Sequence, residues 1–592
     1  LAVDRFMSCI NKIHEFRVIG GDPFMHKEMH KVVDRLKNSL FIPFTLSFLG
    51  GALYAFGFPS IITKSPLPLL PIIGYLIFFA QLSFLNTNDN EEKTTSNKKS
   101  YDFSHWFLFS LGYNLFGYYW IPNFLTEFGE ISGFLNFLTS IIFSLILLPQ
   151  ILIFITLFKV NFIKKIILKV QPDLRIILLS IGLVFLEYYS PQQFPAHLGH
   201  PWLGLSPYLG MAPVFGAPAF SFFSFWLIFS LLPLLRKERI KSALPLLLFF
   251  IFIFHNFLFK IPPTKKEQST AKNLNVRLVQ ANIGNFMKLD SESGKPHSIF
   301  SVTQRYFKLS TQPLSSQPDL IVWPETAYPL LLSSNKMKKN KNAIPAVIRS
   351  IASKMQSEIF FGGYDRVSKK INRGYKSEYN SAFLISKEGE FKDVYHKHRL
   401  IPFGEGLPFG PLNPILSRYI KNISFFAEGK TYPLFKTSNQ SSFISAICYE
   451  ILFSSFIREY LNQVQDNPHF LINLTNDSWY GDTIEPFQHL FLSHWRAIEF
   501  NLPIIRMTNT GISSILLPDG SEQKRTGVFK QLSQDYKFTY NSERQPTIFQ
   551  KWGLLPLCLV VALLFLIQKA LLILNKKKDF QFRKENPALR RS

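Results

Sequence analysis

Long apolar segments constrain the fold of this chain more than any other feature of its sequence. They crowd residues 39–260, and one more lies at 552–574, whereas the residues between them have an ordinary globular composition. The run FLTSIIFSLILLPQILIFITLF, for example, contains no charged residue. A membrane-spanning helix needs about 20 predominantly apolar residues. Apolar runs of this length favour a membrane protein over the alternative, the buried helices of a large soluble protein.

Eight segments are apolar enough to be candidate membrane spans. The fifth is short and the sixth contains prolines, so the boundaries of these two are the least defined. The candidates cover residues 41–58, 66–85, 104–124, 134–158, 175–190, 211–235, 242–259 and 552–574. The sequence therefore predicts seven transmembrane helices within 39–260 and a last one at 552–574.

Lysine and arginine residues alternate across the predicted spans. Seven of them precede the first span, between Arg5 and Lys37, and further basic residues follow the second, fourth, sixth and last spans. The loops on the other side contain only Lys64. Because cytoplasmic loops of membrane proteins carry the excess of Lys and Arg, we expect both termini in the cytoplasm and residues 260–551 on the far side of the membrane.

The formal net charge of +25 has two interpretations, a nucleic-acid-binding protein and a membrane protein with basic loops on one face. The positions of the basic residues favour the second, since they concentrate at the cytoplasmic ends of the predicted spans. We therefore expect a membrane environment and no nucleic-acid partner. The same pattern predicts a cytoplasmic N-terminal extension at 1–38 and a basic cytoplasmic tail at 575–592.

Residues 275–545 have the pattern of an α/β domain. Strand-like apolar runs alternate with polar or helix-like segments, which predicts a layered arrangement of sheets and helices. The segment 406–440 is rich in Pro, Gly and aromatic residues, as is typical of a lid or a binding loop. The strand-like runs are VRLVQANI, DLIVWPE, EIFFGGYD, SAFLIS, SFISAICYE, HFLINLTND and LPIIRMTNTG.

Three residues at or near the ends of strand-like runs carry candidate chemistry. They are Glu325 in VWPETAYP, Lys397 in YHKHRLIPFGE and Cys448 in SFISAICYE. A cysteine attacks as the thiolate, and a free thiol is only a few per cent ionised at neutral pH. A glutamate can accept the thiol proton, while a lysine can lower the pKa of the thiol and stabilise an oxyanion. The three residue types therefore form a self-consistent set for acyl transfer.

Each of the three also has a purely structural interpretation, because sequence spacing does not establish that they meet. Glu325 would be an acid at a helix N-terminus, and Lys397 would be a solvated charge. Cys448 would be a small apolar residue in the core, as free cysteines often are.

The sequence gives no sign of a disulfide framework or a metal site. Cys9, Cys448 and Cys558 fall in three different regions, so neither a set of disulfides nor a CxxC motif is possible. His396 and His398 flank Lys397 with no acidic or histidine cluster beside them in the sequence. We therefore expect neither a metal nor a cofactor.

The motifs PET, PFGE and CYE occur here in an order that resembles the nitrilase superfamily, whose catalytic residues are Glu, Lys and Cys. The longer motifs FGEGLPF, NLTNDSWYGDT and RMTNTGISSILLPDG resemble the apolipoprotein N-acyltransferase family of the bacterial envelope. That family has a multi-span bundle, then an extracytoplasmic nitrilase-like domain and a final span, which matches the organisation predicted above. One departure is Leu289, which stands where the family often carries a tryptophan.

The resemblance implies a fold and three residue roles. The fold is a membrane bundle of about eight α-helical spans with an extracytoplasmic nitrilase-like α/β-sandwich domain at 275–545. Glu325 would be the proton acceptor, Lys397 the oxyanion stabiliser and Cys448 the nucleophile.

The resemblance also implies supporting residues around this set. Glu405, eight residues after Lys397, would support the orientation of the lysine. Tyr449 and Glu450 would shape the pocket beside the cysteine. The polar residues of the NDSW motif, among them Asn476, are expected to be structural rather than catalytic.

The reaction implied by the resemblance is a two-step, ping-pong acyl transfer. Cys448 would take the sn-1 acyl chain of a phospholipid, typically phosphatidylethanolamine, as a thioester. The α-amino group of a diacylglyceryl-cysteine lipoprotein would then accept the chain, which completes lipoprotein maturation. The enzyme would be a monomer in the bacterial inner membrane with its catalytic domain in the periplasm.

Two other classes of function stay open. A membrane-tethered amidase would use the same Glu, Lys and Cys with water as the acceptor, but it would not need a lipid-facing bundle of this size. A transporter or structural protein with an inactive domain would have lost one of the three residues, and none is lost here. Charges within the predicted spans are also scarce, with Glu187 as the main one.

Overall fold

The structure is a computed structural model. It describes residues 41–85, 101–127, 131–205, 209–235, 244–258, 270–313, 317–367, 378–402, 404–407, 410–416, 418 and 425–585. The predicted N-terminal extension at 1–38 lies outside the described residues, as do the basic loops at 93–99 and 236–241 and the end of the predicted tail at 586–592.

The first half of the chain is helical. Proline stands at the start of several of these helices, where its missing N–H would have no partner within the helix. The helices are α1 (Phe41–Ala55), α2 (Leu69–Gln81), α3 (Asp102–Gly117), α4 (Ile121–Glu127), α5 (Gly133–Ile142), α6 (Ser144–Leu147), α7 (Pro149–Lys159), α8 (Asn161–Lys169), α9 (Pro172–Tyr189), α10 (Ala212–Phe215), α11 (Ala217–Leu235) and α12 (Leu244–Leu258).

Among the described residues, two helices are long and apolar enough to cross a membrane, Ala217–Leu235 and Leu555–Leu574. The pair Gly133–Leu147 and Pro149–Lys159, bent by 59°, would be a third if it counts as one span. The apolar helix α1 has only 15 residues, which at about 1.5 Å per residue falls short of a hydrocarbon core of about 30 Å. The eight predicted spans are therefore not confirmed by helix length.

Two glycines bring α1 and α3 into backbone contact. A methyl group at Gly51 would collide with the carbonyl oxygen of Phe109, and one at Gly112 would collide with that of Phe48. Small residues at such crossings are typical of helix packing in membranes. The ring of Phe109 also stacks on Tyr54, so aromatic contacts fill the space around the crossing.

The second half of the chain contains all the β-strands that the structure describes. They are β1 (Ala271–Gln280), β2 (Leu320–Val322), β3 (Leu331–Leu332), β4 (Glu358–Arg366), β5 (Glu378–Ile385), β6 (Phe391–His396), β7 (Phe435–Lys436), β8 (Ser442–Ile447), β9 (Phe470–Thr475), β10 (Ile504–Thr508), β11 (Ser514–Leu516) and β12 (Leu532–Asn541). The helices of this half are α13 (Asn285–Glu292), α14 (Pro296–Thr311), α15 (Ser334–Lys339), α16 (Ala346–Met355), α17 (Asn413–Leu416), α18 (Ser454–Gln463), α19 (Glu485–Glu499), α20 (Ile548–Trp552) and α21 (Leu555–Glu585).

The strands form two sheets that face each other. The larger sheet has the order β12-β1-β2-β4-β5-β6, with β3 beside β4, and the smaller has the order β11-β10-β9-β8-β7. Between them, the ring of Phe360 in β4 lies 5.0 Å from that of Phe443 in β8. The ring of Phe470 in β9 likewise lies 5.5 Å from that of Phe538 in β12. The apolar core of the sandwich therefore lies between the sheets.

Helices cover the outer faces of both sheets. On the larger sheet, Tyr306 of α14 stacks on Trp323 after β2, and α16 packs on β4. On the smaller sheet, α18 packs on β8, and Arg506 of β10 donates a hydrogen bond to Ser493 of α19. The result is a four-layer α/β sandwich, as expected for residues 275–545.

All seven predicted strands are present, as β1, β2, β4, β5, β8, β9 and β10. The sequence analysis missed β3, β7 and β11, which have two or three residues each, and it also missed the longer β6 and β12, whose sequences FKDVYH and LSQDYKFTYN mix polar and apolar residues. The two longer strands flank their sheet: β6 lies at one edge, and β12 lies at the other and pairs with the whole of β1. An edge strand exposes more of its surface to solvent, so its sequence carries a weaker apolar signal.

Helix α19 connects the sandwich to the helical half. The indole N–H of Trp495 donates a hydrogen bond to the carbonyl oxygen of His200 at 3.0 Å. The Trp495 ring also lies 5.5 Å from the ring of Phe220 in α11. The α/β domain is thus in direct contact with the apolar helices.

Candidate active site

Glu325, Lys397 and Cys448 follow three different strands. Glu325 comes shortly after β2, Lys397 directly after β6 and Cys448 directly after β8. Strands β2 and β6 run in the same direction, since β2 is parallel to β4 and β5 is antiparallel to both β4 and β6. The carboxyl ends of β2, β6 and β8 meet at one edge of the sandwich. The structure therefore brings the three predicted residues together.

Lys397 is fully buried between two carboxylates. Its Nζ lies 2.8 Å from Glu405 Oε2 and 3.3 Å from Glu325 Oε1. Burial alone would lower the pKa of Lys397, but the negative charges of Glu405 and Glu325 outweigh burial and raise it above its ordinary value. The lysine is therefore charged at neutral pH and fixed in position. The predicted supporting residue, Glu405, is the nearer of its two partners.

Both carboxylate oxygens of Glu325 accept hydrogen bonds. Asn380 Nδ2 donates to Oε1 at 2.7 Å, and the backbone N–H of Asn476 donates to Oε2 at 3.0 Å. Asn380 Nδ2 also donates to Glu405 Oε1 at 3.0 Å. Asn380 thus joins the predicted base to the carboxylate that holds Lys397.

Cys448 occupies a strained backbone position. It begins a 3-10 turn, Cys448–Leu452, and its φ is +50°, in the left-handed region that residues other than glycine rarely adopt. A conformation of this kind costs about 1–3 kcal/mol and persists only where the surroundings hold it. Here the carboxylate of Glu450 accepts a hydrogen bond from the backbone N–H of Ile447 at 2.7 Å, which fixes the turn from within.

The thiol of Cys448 is almost completely buried, with 3% of the residue exposed. Burial raises the pKa of Cys448 well above its ordinary value, and the negative charge of Glu325 raises it further, while Lys397 acts in the opposite direction. The resting residue is therefore a neutral thiol. Attack by the sulfur on a substrate carbonyl therefore needs a base, and Glu325 is the neighbouring carboxylate predicted for that role.

An open cavity of about 210 Å³ is lined in part by Cys448. Glu325, Glu405, Asn380 and Asn476 provide polar groups in its wall. Apolar and aromatic residues make up much of the remainder, namely Phe124, Leu289, Phe426, Trp479 and Tyr480. This combination suits a substrate with one polar reacting group and a long apolar part.

The cavity lies where the sandwich meets the helical half. The ring of Tyr480 stacks on Phe124 of α4 at 5.6 Å and contacts Trp120 at 5.0 Å. Leu289 of α13 is half exposed at the wall of the cavity. Apolar helices therefore contribute directly to the surroundings of Cys448.

Glu450 links the two strand ends that carry Lys397 and Cys448. It is fully buried and accepts hydrogen bonds from the hydroxyl of Tyr395 at 2.8 Å and from the backbone N–H groups of His398 and Arg399 at 2.7 and 3.0 Å. Together with its bond to the turn after β8, these contacts place it between the predicted oxyanion stabiliser and the predicted nucleophile.

Tyr449 faces the helical half. Its hydroxyl donates a hydrogen bond to the carbonyl oxygen of Gln193 in the segment after α9, and its ring contacts Phe194 edge-on at 6.0 Å. The residue next to Cys448 thus connects the helices to the sandwich, where its ring also lies 4.8 Å from that of Phe453.

Sequence reasoning missed Asn380. The residue lies in β5 one position before the predicted run SAFLIS and is buried, with 1% exposed. An asparagine in a buried strand needs hydrogen-bond partners, and here it finds the carboxylates of Glu325 and Glu405. A polar residue at the start of an apolar strand was the available signal.

Sequence reasoning also missed a buried group beside the site. The group consists of Asp477, Glu485 and His489. Each of these side chains has an oxygen or nitrogen atom of a kind that can bind a metal, and these atoms lie within 4.8 Å of one another. Arg506 Nη2 lies 3.2 Å from Asp477 Oδ2, so a guanidinium already neutralises this carboxylate. The expectation of no metal stays a prediction, and the guanidinium disfavours a second cation there.

Two family models match adjacent parts of the chain in the order of its two halves. The model described as the apolipoprotein N-acyltransferase N-terminal domain matches residues 50–232, and the one described as carbon-nitrogen hydrolase matches residues 275–532. The chain belongs to the apolipoprotein N-acyltransferase family. The fold of the sandwich and the position of Cys448 at its edge are consistent with this membership.

Relatives within the family match most of the chain. The apolipoprotein N-acyltransferase of Haemophilus influenzae is 28% identical over 572 residues, which are 93% of this chain and 99% of the relative. The apolipoprotein N-acyltransferase of Bdellovibrio bacteriovorus is 28% identical over 479 residues, which are 78% of this chain and 84% of the relative. Among solved structures, the CN-hydrolase superfamily protein XC1258 of Xanthomonas campestris is 17% identical, with 46% of this chain and 91% of that chain covered and a TM-score of 0.32.

Proposed function

We propose that this protein transfers an acyl chain from a phospholipid to the N-terminal amine of an S-diacylglyceryl-cysteine lipoprotein. The observation that carries the proposal is the proximity of Glu325, Lys397 and Cys448 at a partly apolar cavity, whose wall includes Glu325 and Cys448 and which the apolar helices border. Membership in the apolipoprotein N-acyltransferase family supports this acceptor and a lipid donor.

In the first half-reaction, Glu325 takes the proton of the Cys448 thiol. The sulfur attacks the carbonyl carbon of the sn-1 ester of a phospholipid such as phosphatidylethanolamine, and the carbonyl oxygen becomes an oxyanion. Lys397, held charged by its two carboxylates, stabilises that oxyanion. Collapse of the intermediate returns the proton to the glycerol oxygen, releases a lysophospholipid and leaves a thioester on Cys448.

In the second half-reaction, the lipoprotein amine attacks the thioester. Glu325 accepts a proton from the amine as the new C–N bond forms, and the sulfur leaves as a thiolate that is reprotonated. A thioester suits this step because it is reactive toward amines. The order of events is ping-pong, since the lysophospholipid departs before the lipoprotein reacts.

The membrane arrangement follows from the nature of the substrates. Both are anchored in the bilayer, so an enzyme held at the lipid surface meets them through a local search. We propose a monomer in the bacterial inner membrane, with about eight spans, cytoplasmic termini and the domain at 275–545 in the periplasm. The direct contacts of Tyr449 and Tyr480 with the helical half support a nucleophile close to that surface.

A transfer assay on the purified protein in detergent tests the proposal. With phosphatidylethanolamine and a diacylated lipopeptide, we expect an N-acylated peptide and an acyl thioester on Cys448, both measured by mass spectrometry. Cys448→Ser should lower the rate by more than about 1000-fold, because a hydroxyl is a far weaker nucleophile. Cys558→Ser is the matched control and should retain activity, since that residue lies in α21 away from the cavity.

Two outcomes would contradict the proposal. Full transfer by the Cys448→Ser variant would exclude the thioester route. Release of free fatty acid, or hydrolysis of a small amide, without any acylated peptide would instead favour water as the acceptor and a membrane-tethered amidase.

A further inference from the structure

The wall of the Cys448 cavity contains a hydrogen-bond donor that none of the steps above uses. Asn476 follows β9, is 3% exposed and lines the cavity together with Cys448. Its Nδ2 group is buried and has no hydrogen-bond partner among the described residues. A buried polar group without a partner costs about 1–3 kcal/mol, so such a group in the wall of the Cys448 cavity is a candidate to bind a substrate atom.

A chain of hydrogen bonds fixes which end of the Asn476 amide is the donor. The backbone N–H of Ile283 donates to Asn509 Oδ1 at 2.9 Å, and Asn509 Nδ2 donates to the carbonyl oxygen of Ile283 at 2.7 Å. Because the backbone groups cannot exchange roles, the orientation of Asn509 is determined. Its Nδ2 also donates to Asn476 Oδ1 at 3.0 Å, which leaves the NH₂ group of Asn476 as the free end.

The backbone of Asn476 is anchored in the predicted machinery. Its N–H donates to Glu325 Oε2 at 3.0 Å. The residue is therefore held next to the group expected to deprotonate Cys448, while its side-chain donor remains available. This arrangement differs from the sequence-based expectation that Asn476 is structural only.

The chemistry of the free group selects its ligand. An N–H donor requires an acceptor on the substrate, so it cannot hold the N–H bonds of an attacking amine. The acyl donor brings such an acceptor to Cys448, namely the carbonyl oxygen of its ester. That oxygen gains negative charge when the sulfur attacks, which strengthens a hydrogen bond to it.

We propose that Asn476 Nδ2 donates a hydrogen bond to the carbonyl oxygen of the acyl ester and to the oxyanion that forms from it, beside the Lys397 ammonium. This assignment rests on the proposed acyl transfer and makes Asn476 a catalytic residue of it. No further reactant is needed: the C=O electron pair moves onto oxygen when the C–S bond forms and returns when the C–O bond to glycerol breaks. Asn476 donates a hydrogen bond throughout and transfers no proton.

Single-turnover kinetics of Asn476→Leu test this role, because leucine keeps the branched shape and removes the donor, along with the oxygen that accepts the bond from Asn509. We expect the rate of Cys448 acylation by phosphatidylethanolamine to fall about 100-fold, in the range measured when one oxyanion donor is removed. Acylation by p-nitrophenyl palmitate, followed by release of p-nitrophenolate, should fall to a similar extent. Alkylation of Cys448 by iodoacetamide forms no oxyanion and should stay within about threefold.

Ser478→Ala is the matched control for loss of a buried polar group. Its hydroxyl oxygen is also buried without a partner among the described residues, only two positions from Asn476, but Ser478 does not line the cavity. We expect unchanged acylation in this variant. Asn476→Ala provides a second test if the leucine variant does not fold.

Three results would overturn the proposal. An acylation rate of Asn476→Leu within about threefold of that of the unsubstituted enzyme would show that Asn476 does not act as a donor to the oxyanion. A parallel fall in alkylation and acylation would assign a structural role instead. A loss with phosphatidylethanolamine but not with the phosphate-free ester would place the phosphate of the lipid, rather than the ester carbonyl, at Asn476. If the unsubstituted enzyme itself formed no acylated peptide, the proposed function would fail independently of Asn476.

Discussion

At the scale of single residues, the site depends on charges that oppose each other around Cys448. Glu325 raises the pKa of the thiol in addition to burial, and Lys397 lowers it. The lysine is itself held charged by Glu405 and Glu325. The resting thiol therefore stays protonated, which protects it from side reactions until a substrate carbonyl occupies the cavity.

This balance predicts opposite effects of two substitutions on thiol reactivity. Below its pKa, the thiolate fraction changes about tenfold for each unit of pKa shift. Glu325→Gln removes a charge that raises the pKa of Cys448, so alkylation by iodoacetamide at neutral pH should accelerate by about tenfold. Lys397→Met removes a charge that lowers it, so alkylation should slow to a similar degree. Acyl transfer should be lost in both.

The pH profile of alkylation provides the measurement. In the unsubstituted protein the rate should still rise past pH 9, because the thiol pKa lies well above that ordinary value. The profile of Glu325→Gln should shift toward lower pH and that of Lys397→Met toward higher pH. Lys436→Met is the control, since Lys436 forms an exposed ion pair with Asp466. Its alkylation profile should not shift. Slower alkylation in both active-site variants would contradict the assigned charge effects.

At the scale of elements, the reactive residues lie where strands end and the backbone turns. Parallel strands bring their carboxyl ends to the same edge, so residues far apart in sequence meet there. The turn at Cys448 adds a left-handed backbone that only its surroundings maintain. Glu450 holds this turn and the segment after β6 at once, which couples the position of the nucleophile to that of Lys397.

The left-handed turn predicts an unusual order of stability for substitutions of the nucleophile. Cys448→Gly should be more stable than Cys448→Ala by about 1 kcal/mol in free energy of unfolding, because glycine adopts positive φ without a steric penalty. The glycine variant should therefore melt at the higher temperature. The matched pair at Cys558, within α21, should show the reverse order, since glycine inside a helix is about 1 kcal/mol less favourable than alanine. Thermal unfolding in detergent measures both pairs, and the same order at both positions would contradict the strain at Cys448.

At the scale of the whole molecule, the two halves are joined by specific contacts in addition to apolar packing. Gln488 of α19 accepts a hydrogen bond from the indole N–H of Trp120 at 3.0 Å. Its Nε2 donates to the carbonyl oxygens of Pro59 and Gly117 at 2.9 and 2.8 Å. One side chain of the sandwich therefore engages two segments of the helical half, and Trp120 in turn contacts Tyr480 in the wall of the Cys448 cavity.

Loss of this junction should affect a membrane-bound substrate more than a small one. Gln488→Leu leaves the Trp120 N–H and two carbonyl groups without their partner, which should lower the free energy of unfolding by about 1–3 kcal/mol. We expect transfer from phosphatidylethanolamine to fall several-fold more than acylation by p-nitrophenyl palmitate. Gln523→Leu, at an exposed contact with Lys537, is the control. Equal losses with both acyl donors would contradict a role of the junction in lipid access.

Much of the fold was accessible from the sequence because strong local patterns dominate it. Apolar runs bounded by polar segments identified seven strands, which are the inner strands of the two sheets. Edge strands such as β6 were missed, since partial exposure weakens the apolar signal. The number of membrane spans was not confirmed, because helix lengths such as the 15 residues of α1 depend on where each segment bends or ends in the folded bundle.

The sequence by itself determined the chemical types of the site and placed Glu325 and Cys448 at strand ends, whereas β6, which precedes Lys397, was missed. Glu325, Lys397 and Cys448 have complementary roles as a base, a cation and a thiol, and the resemblance to the nitrilase superfamily singled them out. Only the tertiary structure decided which groups share the cavity, including Asn380 and the free amide of Asn476. The physical reason is that the hydrogen-bond partners of a buried side chain come from residues that are close in space but far apart in the chain. No local sequence pattern shows whether a given donor will find a partner.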